Sequence, residues 1–171
     1  MIQIVKERYI IVVDTREYAT SLGKKIVGYL KQDKDFKVEI DLLEVGDYYI
    51  PGNVTDFIIE RKSVIDLLNA AKTKRLWEQL KALASVENAE PYIILEGSEG
   101  LVKKFTKWSI EAFEGLKLSI LKDFGIKIIP SASYGTTGII LKVLAKQLQR
   151  LEPAKRKQLK VHKAADTPQQ Q

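Results

Sequence analysis

A chain of 171 residues suits one compact domain with at most a short appendage, and an α/β core of that size is buried without staples. There is no cysteine and a single histidine, His162, which excludes a disulfide framework, a thiolate or histidine-rich zinc site and a Ser-His-Asp triad, and leaves hydrolytic chemistry to carboxylates and hard metal ions. The formal net charge of +6 leans toward a polyanionic partner, and the sequence contains neither a bilayer-length apolar run nor a signal-peptide core, so an intracellular protein with no membrane role is expected.

The elements follow in chain order. "YIIVVD", Tyr9 to Asp14, reads as a buried strand ending in an acid. Thr20 or Ser21 caps a helix to about Gln32, with Leu22, Ile26 and Leu30 on one face. "FKVEIDLL" alternates as a half-exposed strand, and "GDYYIPGN" is a strand led by Gly-Asp and closed by a Pro-Gly turn. "DFIIE" follows at once, so the two form a hairpin. Ser63 opens a helix through about Ala70, and a second helix runs from about Arg75 to Ala84. "PYIILE", Pro91 to Glu96, is another buried strand closed by an acid. Ser109 caps a helix to about Phe124, with Gly125 as its stop. "IKIIP" is the last strand, and a final helix runs from about Thr136 to Leu151 with a stripe of Leu141, Leu144, Leu148 and Leu151. Beyond it, Lys155, Arg156, Lys157, Lys160 and Lys163 face only Glu152 and Asp166, a basic composition that predicts disorder. Strands interleaved with helices give an α/β domain, and the hairpin makes its sheet mixed.

Asp14, Asp47, Glu60 and Glu96 all lie at strand ends, where open α/β sheets gather their ligands. A hairpin brings Asp47 and Glu60 side by side. Their mutual repulsion is relieved by a divalent cation, for which oxygen ligands suit Mg²⁺ or Mn²⁺. Lys62, two residues after Glu60, shares its face, whereas Arg61 points to the other. The spacing fits metal-dependent phosphodiester hydrolysis, with Lys62 orienting water or neutralising phosphate charge. Charges at strand ends are also ordinary, and Glu-Lys neighbours form surface ion pairs worth little.

"VGDYYI" followed by "IIERKSVIDLL" resembles the nuclease domain of the XPF family, structure-specific DNA endonucleases with a GD…ERKxxxD signature; the matching residues are Gly46, Asp47, Glu60, Arg61, Lys62 and Asp66. "VVDTRE" resembles the family's first strand, "KRLWEQL" the segment after the signature, and "PYIILEG" the next strand, so the resemblance covers about Tyr9 to Leu151. It implies a restriction-endonuclease-like core, a mixed central sheet flanked by helices. It implies metal ligation by Asp47 and Glu60 with Asp14 adjacent, catalysis by these acids and Lys62, and DNA-binding or supporting roles for Arg16, Arg61, Asp66, Arg75 and Gln79. It further implies branched duplex DNA such as 3′ flaps and forks as substrate, repair or replication proteins as partners, homodimerisation through late helices, and association with DNA, in a nucleoid if the source is prokaryotic. Family members usually add a tandem helix-hairpin-helix domain. No such pattern is visible beyond Leu151, so residues 1–151 are expected to be the nuclease domain and 152–171 a basic tail. The alternatives are a non-catalytic DNA-binding or recruiting subunit and a Holliday-junction resolvase. Trp77 reads as a core or interface residue rather than a base-stacking platform.

Overall fold

The computed structural model describes residues 7–150; the basic tail, His162 and Leu151 of the leucine stripe lie outside the described residues. Six strands form one sheet in the order β2-β1-β3-β4-β5-β6. They are β1 (Tyr9–Asp14), β2 (Phe36–Asp41), β3 (Tyr48–Ile50), β4 (Asp56–Ser63), β5 (Ala89–Glu96) and β6 (Lys127–Ser131). β1 runs parallel to β2, and β4, β5 and β6 are parallel to one another. β3 pairs antiparallel with both β1 and β4. The expected mixed sheet is thus present, and its carboxyl edge gathers the ends of five strands with the beginning of β3.

The helices are α1 (Thr15–Ala19), α2 (Ser21–Lys31), α3 (Val64–Lys72), α4 (Arg75–Ala84), α5 (Glu99–Phe105), α6 (Ile110–Phe124) and α7 (Tyr134–Gln149). Period-two alternation along the central strands builds a core on each side. On one side Ile58, Ile93 and Leu95 pack with Leu67 and Leu68 of α3, Leu76 and Leu80 of α4, and Phe113 and Ile120 of α6. On the other, Ile11, Val13, Tyr48, Ile59 and Ile94 pack with Ile26, Val27 and Leu30 of α2 and Leu141 and Ala145 of α7. Several boundaries fall where the capping residues put them: Thr20, Ser63 and Ser109 each accept a backbone N–H of the helix they open, and Gly125 closes α6 in the left-handed conformation.

Four details differ from the sequence reading. The buried stripe of α2 is Gly23, Ile26, Val27 and Leu30, and Leu22 is exposed. The helix is rotated one step because its first turn lies against the last carbonyls of α1 through Gly23. α1 and α5, of five and seven residues, carry no periodic stripe and were not foreseen. β4 continues through Ser63, because Glu60, Arg61 and Lys62 stay in register with Ile93, Ile94 and Leu95 of β5. α7 begins at Tyr134, because Ser133 supplies its cap.

Candidate active site

Asp14 at the end of β1, Asp47 just before β3 and Glu60 of β4 lie in a row. The Asp14 N–H donates to the Asp47 carbonyl at 2.8 Å, and the Asp47 N–H donates to the Ile59 carbonyl at 2.8 Å. Gly46, immediately before, adopts φ +88°, and a Cβ there would meet the Ile58 side chain at 2.7 Å. Only glycine turns the chain into β3 this closely over β4 and so delivers Asp47 opposite Glu60.

Alternation separates the three charged residues of β4. Glu60 and Lys62 share the face of Ile58, which lies toward α3 and α4, and Arg61 shares the face of Ile59. The Arg61 backbone N–H donates to Asp47 Oδ2 at 2.7 Å, locking that carboxylate to the strand. Lys62 Nζ donates to Gln79 Oε1 of α4 at 2.8 Å. The Glu60 carboxylate accepts no hydrogen bond among the described residues. Burial, then the neighbouring Glu60 and Glu17 charges, push the Asp47 carboxyl up to about 8. Burial also raises Glu60, with Lys62 opposing it.

Asp14 behaves differently. Its carboxylate accepts from Arg16 Nε at 2.8 Å, from the Arg16 N–H at 3.1 Å and from the Leu43 N–H at 2.8 Å. Burial alone would raise it, but these donors from Arg16 and Leu43 hold it below the usual range. Arg16 also donates to the Leu43 carbonyl at 2.6 Å, so the pair pins the segment after β2 against the site. Among the described residues no set of three or more acids is spaced to hold a metal ion. Asp14, expected beside the metal ligands, is occupied as the cap of α1. The remaining pair fits a hard cation: Asp47 and Glu60 are half-buried like charges, and Glu60 has no hydrogen-bond donor among the described residues.

The other predicted residues divide. Gln79 reaches the site through Lys62. Arg75, one turn away, is exposed in the first turn of α4, and Asp66 is exposed in the first turn of α3. Trp77 is partly exposed and stacks on Phe124, ring centroids 6.1 Å apart.

Sequence reasoning missed the layer on the opposite face. Glu17 of α1 is buried and accepts from the Tyr48 hydroxyl at 2.6 Å, from Arg61 Nε at 2.6 Å and from a second Arg61 nitrogen at 3.0 Å. Arg61 also donates to Glu96 Oε1 at 3.0 Å. Glu96, one of the strand-end acids, is buried and accepts from the Thr137 hydroxyl of α7, which lies 2.9 Å from the Ser131 hydroxyl. Burial works against the Arg61 charge, but Glu17 and Glu96 carry its pKa above the ordinary arginine value. No local signal marked Glu17, which Tyr18 follows at once on the five-residue α1.

Residues 13–144 match the family model described as the ERCC4 domain. The chain is 35% identical over 138 residues to a proposed ATP-dependent RNA helicase of Methanocaldococcus jannaschii, covering 80% of this chain and 15% of that protein. It is 31% identical over 140 residues to the 3′-flap repair endonuclease Xpf of Saccharolobus solfataricus, covering 81% of this chain and 55% of the relative. The chain therefore spans about half the length of one of these relatives and a small fraction of the other. Its fold is that of the XPF structure from Aeropyrum pernix in complex with DNA, at a TM-score of 0.66 and 24% identity over 82% of this chain and 64% of that one. The match to the domain model extends from the end of β1 into α7 and takes in every strand but β1 whole, so this chain belongs to the ERCC4 domain family.

Proposed function

We propose that the chain is the nuclease portion of a metal-dependent, structure-specific DNA endonuclease that hydrolyses phosphodiester bonds in branched duplexes such as 3′ flaps and forks. The observation that carries the reading is the juxtaposition of Asp47 and Glu60 on adjoining strands, with Lys62 two residues along the same face. Asp47 and Glu60 would hold Mg²⁺ or Mn²⁺, which supplies the charge to polarise a phosphodiester and to acidify water. The chain's own residues do the rest. The Arg61 N–H fixes the Asp47 carboxylate, and Lys62, steadied by Gln79, presents an ammonium to a phosphate oxygen as negative charge builds there. Asp14 and Arg16 hold the segment after β2 beside the reacting groups. Arg75, exposed on α4, and Asp66, exposed on α3, are assigned supporting roles at the approach to DNA.

Asp47, Glu60 and Lys62 are all present, which argues against a purely recruiting subunit. Homodimerisation through the late helices is part of the same reading, supported by the exposed pair Leu118 and Leu121 on α6 and the exposed pair Ile139 and Val143 on α7. Leu118→Glu is expected to convert a dimer to a monomer by light scattering.

The decisive test incubates the protein with a labelled 3′ flap, a four-way junction and a linear duplex, with and without Mg²⁺. Metal-dependent cutting of the flap that Asp47→Asn abolishes, with DNA binding retained, is the expected result. A folded protein that cuts no DNA in Mg²⁺ or Mn²⁺ would overturn the reading, and paired symmetric nicks in the four-way junction would turn it toward a resolvase.

A further inference from the structure

At the far end of α3 from Lys62 lies a concavity of about 840 Å³. It is walled by the last turn of α3, the segment joining α5 to α6, and the first turn of α6. α3 has nine residues, which at about 1.5 Å each place the concavity about 13 Å along the helix from the candidate active site.

Its lining is unusual in two respects. It carries Lys72, Lys104 and Lys107 and no acid. None of the three lysines forms an ion pair among the described residues, whereas the adjacent Lys103 lies 3.9 Å from Glu99. Second, the aromatic rings of Phe105 and Trp108 sit among these cations. Phe105 is 62% exposed, an uncommon setting for a ring with no polar handle, and Lys104 Nζ stands 5.3 Å from its centroid. Trp108 is half-buried and packs on the core below α3. The segment is held in shape: Thr106 Oγ1 donates to the Val102 carbonyl at 2.7 Å and accepts the Trp108 N–H at 3.1 Å. The rings are therefore presented by a fixed turn.

Unpaired cations around an exposed ring match a polyanion that also carries planar faces. We propose that this concavity seats an unpaired nucleotide of the nucleic-acid substrate, its base stacked on Phe105 and its flanking phosphates held by Lys72, Lys104 and Lys107. A paired base hides both faces in its stack, so the site selects single-stranded segments, such as the unpaired arm of a branched duplex. An acidic polypeptide would satisfy the lysines and leave the ring unused. The inference deepens the nuclease reading by assigning a place on this chain to the unpaired arm.

Trp77→Phe leaves Trp108 as the only tryptophan, so its fluorescence reports on the concavity directly. In metal-free buffer, where binding is read without cutting, oligothymidylate is expected to quench Trp108. Phe105→Ala weakens the affinity about tenfold. Phe105→Leu, which keeps the apolar bulk but removes the ring, weakens it similarly, and Phe105→Tyr preserves it. Lys72→Gln, Lys104→Gln and Lys107→Gln together lower the slope of log affinity against log salt by about 2. Unquenched Trp108, or unchanged affinity in a folded Phe105→Leu protein, overturns the proposal. Equal quenching by polyglutamate overturns it in favour of an acidic polypeptide. Cutting of a flap with an oligothymidylate affinity indifferent to Phe105 removes this site and spares the nuclease reading. Ring-dependent binding without any cutting removes the nuclease reading and spares this site.

Discussion

Glu60, Arg61 and Lys62 are consecutive on one strand yet live in opposite environments. Arg61 faces a buried, fully hydrogen-bonded network in which Glu17, Glu96, Tyr48 and Thr137 complete one another. Glu60 and Lys62 face an open surface where two acids crowd together and only Lys62 has a partner on α4. The period-two geometry of β4 thus splits three adjacent charges into Arg61, which supports the fold, and Glu60 and Lys62 on the open face, where Lys62 is held by Gln79 and the acid is left unrelieved. A group already satisfied by the protein has nothing to offer a substrate, whereas a pair of carboxylates raised toward neutrality has binding energy in reserve for a cation.

The sharpest way to break this division is to remove one acid from each face. Glu60→Gln is expected to reduce flap cutting about 1,000-fold, roughly 4 kcal/mol at the barrier, without lowering the melting temperature. Glu17→Ala is expected to do the reverse to the fold: it strands the Arg61 guanidinium and the Tyr48 hydroxyl, costing about 3–5 kcal/mol in urea unfolding. If the two variants lost stability equally, both faces of β4 would be structural, and the division drawn above would fail.

The same division decides what the sequence could reveal. The open face was legible because its residues are close along the chain: Glu60 and Lys62 obey the strand period, and the Pro51-Gly52 turn announces the hairpin. The caps Thr20, Ser63 and Ser109 were legible for the same local reason. The buried network was not, because its contacts join residues that the chain separates widely: Glu17 to Arg61 across 44 positions, and Thr137 to Glu96 across 41. Nothing local marks Glu17 as buried, since it sits on a five-residue helix too short to show a stripe. Asp14 shows a further limit. Its place at the strand end was readable, but whether its oxygens stay available depends on Arg16 and on Leu43 from the segment after β2.

A smaller effect should appear in the pH dependence of stability. Asp47 is raised from the ordinary 3.8 to about 8, by burial first and by Glu60 second. Between those values the folded protein retains a proton that the unfolded chain has released, so stability falls as pH rises from about 4 to about 8. In metal-free buffer the melting temperature should therefore decline across this window. Asp47→Asn should flatten the decline, and Mg²⁺ should restore the wild-type value most at the alkaline end, where both acids are ionised and accept the cation. A wild-type curve parallel to that of Asp47→Asn would show that the two acids do not strain the fold.

The smallest effect probes how Lys62 is held. Gln79 Oε1 accepts from Lys62 Nζ at 2.8 Å on a half-exposed face, an interaction worth about 1 kcal/mol. Gln79→Ala should therefore lower the cutting rate about fivefold through a freer ammonium, with stability nearly unchanged. Gln79→Glu keeps an oxygen at that position and should recover most of the loss in kcat. The positioning role is distinguished from a DNA contact by which constant moves. A side chain that gripped DNA would raise KM when removed, whereas one that only aims Lys62 leaves KM alone and lowers kcat. A rise in KM with kcat intact would assign Gln79 to the DNA surface alongside Arg75, and Lys62 would then have to be aimed by the strand alone.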